Sequence, residues 1–371
     1  MREKNLEQTG KKSRILYFDA LEVVAIFLVV SVHNVWLNGT VASSVAMALC
    51  PLAVPVFFMV HGALLLNKPF DMKRHLTRTG KTLLQLIIWM LIYYTISLCF
   101  GWNNEPVSVK SLYQYFIGGA VMNAGLGGSL WFMVALLQIY MIFPILHAIW
   151  SSNKKISHYA VILLFVFSFV CKEVEIWGTW LGNNVLGFPI TLNWWKNKLS
   201  PFGGYANCIF FFLAGAVLAE QISEVCRRSQ KAISLRRNIY IYIAAILLLP
   251  SGILITLLER KLQFGTIVYN WKPLSEQYMR LGTVLMAFGV FLLFSQIPFR
   301  ENASGLMQKI SMHTIDIYYI HPILGKMAYE FLFVQAYAGV FNNYIRAAII
   351  LTVSYAVGLL IRKIPVIRKI L

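Results

Sequence analysis

The sequence is short of acid and of charge in general. Only 15 of its 371 residues are Asp or Glu, against 33 Lys or Arg, and charged residues of both signs make up 13% of the chain. An ordinary soluble domain carries about a quarter of its residues as charges, so this is not one. Cysteine is scarce too. Cys50, Cys99, Cys171, Cys208 and Cys226 show no CxxC spacing, which argues against a metal or redox centre and favours simple packing roles. A Gly-rich nucleotide-binding motif, a fixed-period repeat and an appended domain are all missing.

What is present is apolar. Hydrophobic residues make up 58% and aromatic residues 14%, with a mean hydropathy of +0.65. Ten segments approach the roughly 20 apolar residues needed to cross a bilayer. They lie near 16–36, 44–66, 82–100, 130–149, 158–176, 203–220, 239–258, 278–297, 310–333 and 341–361. The first is too long in its apolar core for a cleavable signal, and no small-residue cleavage site follows it. The net charge of +18 would suit nucleic acid, but the basic residues sit mostly in short gaps between apolar runs. A membrane orientation signal is the simpler reading, and no nucleic-acid partner is expected.

With the N-terminus inside, 23 Lys and Arg fall on inner segments, seven on outer loops and three within spans. The expected fold is therefore an all-α, polytopic membrane helix bundle of about ten helices with both termini cytoplasmic. Its parts would be a basic tail at 1–15, one transmembrane domain at 16–364 and a tail at 365–371. The outer loops 101–129 and 177–202, rich in Gly, Asn and Trp, would cap a cavity or line the interface.

Ionisable groups at membrane depth cost about 2.5–3.5 kcal/mol on insertion scales, so those inside the spans are functional candidates. The first segment carries Asp19 and Glu22 near its inner end and His33 near its outer end. Eleven helical steps return almost to the same direction, so Glu22 and His33 share a face, about 16 Å apart along the axis. Asp19, in the first turn, suits the positive end of the helix. In segment nine, "ISMHTIDIYYIHPIL", His313, Ile317 and His321 follow an i, i+4, i+8 stripe, and Pro322 loosens the helix beside His321. Lys326 and Glu330 read as a structural pair. Segment two holds Pro51 and Pro55, which distort its helix, and His61 beside Gly62. These histidines point to proton chemistry. No carboxylate or Cys completes a metal-ligand spacing, so no metal is expected. The inner loop "NKPFDMKRHLTRTGK" gathers Lys68, Lys73, Arg74, Arg78 and Lys81. It reads either as an orientation signal or as a phosphate clamp, because the Arg fork matches phosphate oxygens. The loop 221–238 allows the same two readings.

Four stretches together resemble the acyltransferase-3 family of integral membrane acyltransferases. "FDALEVVAIFLVVSVH" is similar to its first helix and "VPVFFMVHGALLL" to its second. "SLWFMVALLQIYMIFP", with Trp131, Tyr140 and Pro144, is similar to its Leu-Trp-Phe helix, and "ISMHTIDIYYIHPIL" to its near-terminal helix. "YANCIFFFLAGAVLAE" is a weaker fifth match. The resemblance implies about ten helices. It also implies transfer of an acyl group, often acetyl, from cytoplasmic acyl-CoA to a hydroxyl of a cell-envelope glycan, a lipid-linked sugar or a small molecule.

By the same resemblance His33 holds the catalytic position. Glu22 stands where the family usually has Arg, and Arg74 and Arg78 stand near its paired-Arg motif with one extra residue between them. The expected site residues are therefore His33, Glu22 and His321 for catalysis and Lys73, Arg74 and Arg78 for the acyl-CoA donor. Trp131 and Tyr318, with His321, are the oxyanion or substrate candidates. Expected partners are the lipid bilayer of the cell membrane, the acyl-CoA and the acceptor. The alternatives are a transporter or exporter of an envelope precursor, and a catalytically silent sensor.

Overall fold

The computed structural model describes residues 15–34, 39–103, 107–119, 125–188, 190, 205–229, 234–268, 277–299, 301–331 and 339–365. The expected tails fall almost wholly outside this set. So do the side chains of the basic stretch 225–238. Among the described residues there is no strand.

The helices are α1 (Leu16–His33), α2 (Val41–Leu49), α3 (Ala53–Leu66), α4 (Met72–Cys99), α5 (Val109–Phe116), α6 (Trp131–Ser152), α7 (Lys154–Phe165), α8 (Cys171–Leu181), α9 (Ala206–Ser229), α10 (Ser234–Phe264), α11 (Leu281–Gln296), α12 (Glu301–Met312), α13 (Thr314–Phe331) and α14 (Val340–Ile361). Short tighter or wider turns join several of them into longer rods. Pro51 sits in a 3-10 turn, Cys50–Leu52, that links α2 to α3, as the prolines of this segment suggested. A 3-10 turn, Gly125–Leu130, leads into α6, and the π turn Val166–Val170 links α7 to α8. Joined in this way, the rods correspond to the ten apolar segments. Among the described residues, seven rods are long and apolar enough to cross a membrane, and Leu281–Gln296 is a shorter apolar helix. The protein is a polytopic helical membrane protein.

Two boundaries differ from the sequence reading. The stretch 67–81 is not a loop beyond Asp71. Asp71 caps α4 by accepting the Arg74 N–H at 3.1 Å, and the Lys- and Arg-rich run that follows consists of good helix formers. Segment nine likewise begins earlier, at Glu301, and breaks at His313, so that α12 and α13 are separate helices.

The central helix is α1, surrounded by α3, α11, α12, α13 and α14. Leu21, Ile26 and Val30 on it are fully enclosed. The tightest seam lies between α3 and α9, where glycines let the backbones approach. A Cβ on Gly62 would lie 1.7 Å from the Phe212 carbonyl oxygen, and one on Gly215 would lie 2.1 Å from that of Met59. Neither obstacle is a flexible side chain, so a helix would have to move. Gly62→Val should therefore destabilise the protein by at least the roughly 1–3 kcal/mol of ordinary overpacking, checked by thermal unfolding in detergent.

Asp316, fully buried on α13, accepts from Arg362 Nε at 2.6 Å and Nη2 at 3.1 Å beyond the end of α14, and it lies 2.7 Å from His313 Nδ1. Lys326 and Glu330 form the expected i, i+4 pair at 4.0 Å.

Candidate active site

Three helices bring the site together at one end of the bundle. The last turn of α1 presents His33, the middle of α13 presents His321, and the 3-10 turn before α6 presents Ser129 and its glycines. The two histidine rings lie 5.3 Å apart, centre to centre. His33 is exposed into a cavity of about 580 Å³ whose wall also includes Asn34, Ser129, His321, Lys326, Glu330 and Arg346. This volume falls within the range of about 300–1,000 Å³ usual for small-ligand sites.

His321 is fully buried. Its Nδ1 lies 3.0 Å from the Ile317 carbonyl oxygen. A carbonyl can only accept, so Nδ1 carries the proton, and the neutral ring then keeps its lone pair on Nε2. That Nε2 has no protein partner. Pro322 follows it on α13, in the interior of the helix.

Beneath His33 lies a smaller pocket of about 30 Å³ shared by His33, Ser129, Trp131, Tyr318 and Tyr278. The Trp131 and Tyr278 rings are 5.0 Å apart. The Tyr318 hydroxyl donates to the Ser129 carbonyl oxygen, which ties α13 to the cavity wall and occupies its proton. The four residues His33, His321, Trp131 and Tyr318 are thus gathered in one place.

Lys73, Arg74 and Arg78 are at the other end. Together with Lys81 they line a cavity of about 700 Å³ that reaches Thr82, Gln85, Tyr140 and Ile315. Because the run is helical, Arg74, Arg78 and Gln85 recur at helical spacing on one face of α4. Arg74 and Arg78 also border a small cavity beside His75 and His147.

Glu22 joins neither group. Ser311 Oγ, on α12, donates to it at 2.5 Å and lies 2.9 Å from Asp19 Oδ1. Glu22 and Asp19 thus fasten the start of α1 to α12. The His313–His321 stripe does not form one site either. His313 stands at the helix break and contacts Asp316, while His321 faces the outer cavity. His61 donates from Nδ1 to the Phe57 carbonyl one turn back.

The outer and basic cavities share no lining residue. Along α13 the lining residues of the basic cavity and of the small pocket come within one turn of each other. The basic cavity ends at Ile315 and the small pocket under His33 begins at Tyr318, a rise of about 4.5 Å. Along α6 the interval from Tyr140 to Phe132 is about 12 Å and is packed with buried side chains such as Leu136.

Sequence reasoning missed Ser129, Asn34 and Arg346 in the outer cavity, and the Asp316–Arg362 pair. The Gly-rich approach to α6 hinted at the first. The others depend on which helices become neighbours. Cys50, Cys99, Cys171 and Cys208 form no disulfide. Among the described residues, no three His, Cys, Asp or Glu side chains group as metal ligands.

Residues 15–363 match the family described as Acyltransferase domain, Acyl_transf_3. The chain belongs to this acyltransferase family. The match covers every cavity described above, from His33 on α1 to Arg362 beyond α14. No curated protein and no solved structure matches the chain.

Proposed function

We propose that the protein transfers an acyl group, acetyl in the simplest case, from acyl-CoA to an acceptor hydroxyl on the opposite side of the cell membrane. The observation that carries this reading is the His33–His321 pair. One imidazole is exposed to a cavity of ligand size, and the other keeps an unpartnered nitrogen beside it.

The donor's phosphates would rest on Arg74, Arg78 and Lys73 in the basic cavity, which the charge balance assigns to the cytoplasmic face. Its thioester arm would pass between the two cavities beside Ile315 and Tyr318 after side-chain movement. In the outer cavity His33 takes the proton of the acceptor hydroxyl as the oxygen attacks the thioester carbonyl carbon. The C–S bond then breaks, and the imidazolium returns the proton to the departing thiolate. The fixed tautomer of His321 gives His33 a neighbour that accepts a hydrogen bond and stabilises the imidazolium. Arg346, on the same wall, supplies positive charge near the developing oxyanion, whereas Lys326 is paired with Glu330. Because the Tyr318 proton is already engaged by Ser129, Tyr318 serves as a wall element rather than as the oxyanion donor. Glu22 is assigned to holding α1 against α12.

Purified protein incubated with acetyl-labelled acetyl-CoA tests the reading through release of label to water or to added hydroxyl compounds. Arg74→Ala/Arg78→Ala should raise the KM for the donor at least tenfold and leave kcat within about twofold, since two charge-assisted contacts are removed from binding alone. Unchanged donor KM in this variant would remove the basic cavity from the site. Uptake of solute by vesicles without any donor would instead support a transporter.

A further inference from the structure

We propose that a second cavity on the His33 face of the bundle binds a pyranose sugar. It lies at the far end of α8, where α10 ends and α11 begins, and has a volume of about 400 Å³. The turn Gln277–Met279 separates it from the histidine cavity. Tyr278 lines the pocket under His33, and Arg280, two residues later, lines this one.

The local backbone explains the site. After α8 the chain widens into a π turn, Gly182–Leu186. Such turns carry an extra residue and re-aim the side chains they hold, and they recur at functional sites. Here the re-aimed residues are Asn183 and Asn184, which line the cavity with Thr179 and Gln263. Asn184 Nδ2 donates to the Trp180 carbonyl at 2.7 Å, which fixes its amide plane and leaves Oδ1 as an acceptor. Gly182 is required, because a Cβ there would lie 2.0 Å from the Phe188 carbonyl oxygen.

The floor is buried and polar. Arg280, 2% exposed, lies 3.6 Å from the fully buried Glu259. Glu173 accepts the Leu281 N–H at 2.8 Å and the Trp177 indole N–H at 3.1 Å, locking α8 to the start of α11. A buried ion pair adds little stability over an apolar filling of the same volume. Arg280 also borders the polar cavity. At the rim, Trp180 is 41% exposed and offers a flat apolar face.

The combination selects the ligand. A pyranose has one face of C–H bonds, which packs on an indole, and a belt of hydroxyls, each both donor and acceptor. Planar amides satisfy both functions of a hydroxyl at once. An anionic lipid headgroup would call for clustered cations, yet Lys172 at this site is paired with Glu175 at 3.4 Å.

The test is saturation-transfer difference NMR on the full-length protein in nanodiscs, with the methyl glycosides of glucose, galactose and N-acetylglucosamine as probes. At least one should give a signal, strongest at ring C–H protons. Trp180→Ala should weaken that binding roughly tenfold and Trp180→Phe much less. Asn183→Ala should also weaken it, while His33→Ala should leave it unchanged. The assay reads binding alone, so it stands apart from the acyl-transfer reading. Absence of signal with all three sugars, or a signal that Trp180→Ala leaves intact, would overturn the proposal. The second outcome is what an indole serving only as an interface anchor would give. Loss of binding in His33→Ala would move the sugar to the histidine cavity and overturn it equally.

Discussion

Replacing His33 by Ala should lower acyl turnover about 10²–10⁴-fold, the usual contribution of a positioned acid–base group. The protein should remain folded, because His33 faces a cavity and its removal empties no packed core. His321→Ala should reduce turnover by a similar order. The double variant should be little worse than either single one, since groups that act as a unit are strongly non-additive. Turnover of labelled acetyl-CoA, with circular dichroism and gel filtration to confirm folding, checks this. Fully multiplicative losses would mean that the 5.3 Å approach of the rings has no chemical consequence.

The second large effect concerns stability. Asp316→Ala should destabilise the protein by about 3 kcal/mol, the lower end of the cost of breaking a buried ion pair. The lower end applies because Arg362 keeps 26% of its side chain exposed and can rehydrate, whereas Asp316 is fully buried. Asp316 also ties His313, at the α12–α13 break, to the end of α14. Its loss should loosen α13 and so reduce turnover indirectly. Arg362→Ala should cost more than Asp316→Ala, because it leaves the fully buried Asp316 carboxylate with His313 in place of its arginine. Thermal unfolding of both variants in the same detergent gives the comparison, and equal stability of Asp316→Ala and wild type would contradict it.

The architecture was largely readable because lipid permits few solutions for a backbone: apolar segments near 20 residues must be helices. Individual faces were harder. α1 is apolar almost all round, so periodicity alone could not say that His33 would meet His321. The shared face of Glu22 and His33 was sound helical geometry, yet Ser311 on a helix far along the chain claims Glu22. Charge at 67–81 signals the end of a membrane segment and so suggests a loop, whereas its Asp71 cap and helix-forming residues extend α4. The buried pairs Asp316–Arg362 and Glu259–Arg280 left no local trace, since their members lie on different helices. Trp131 and Tyr318 were placed with His33 by resemblance, and the fold assembles them around one small pocket.

The central claim is vectorial: the donor enters at Arg74 and Arg78, and the hydroxyl is acylated at His33. It is tested most directly in proteoliposomes of uniform orientation, with labelled acetyl-CoA supplied on one face at a time. Label should leave the donor only when acetyl-CoA meets the face carrying Arg74 and Arg78, and the acylated product should collect on the face carrying His33. Equal turnover with acetyl-CoA confined to the His33 face would contradict the account.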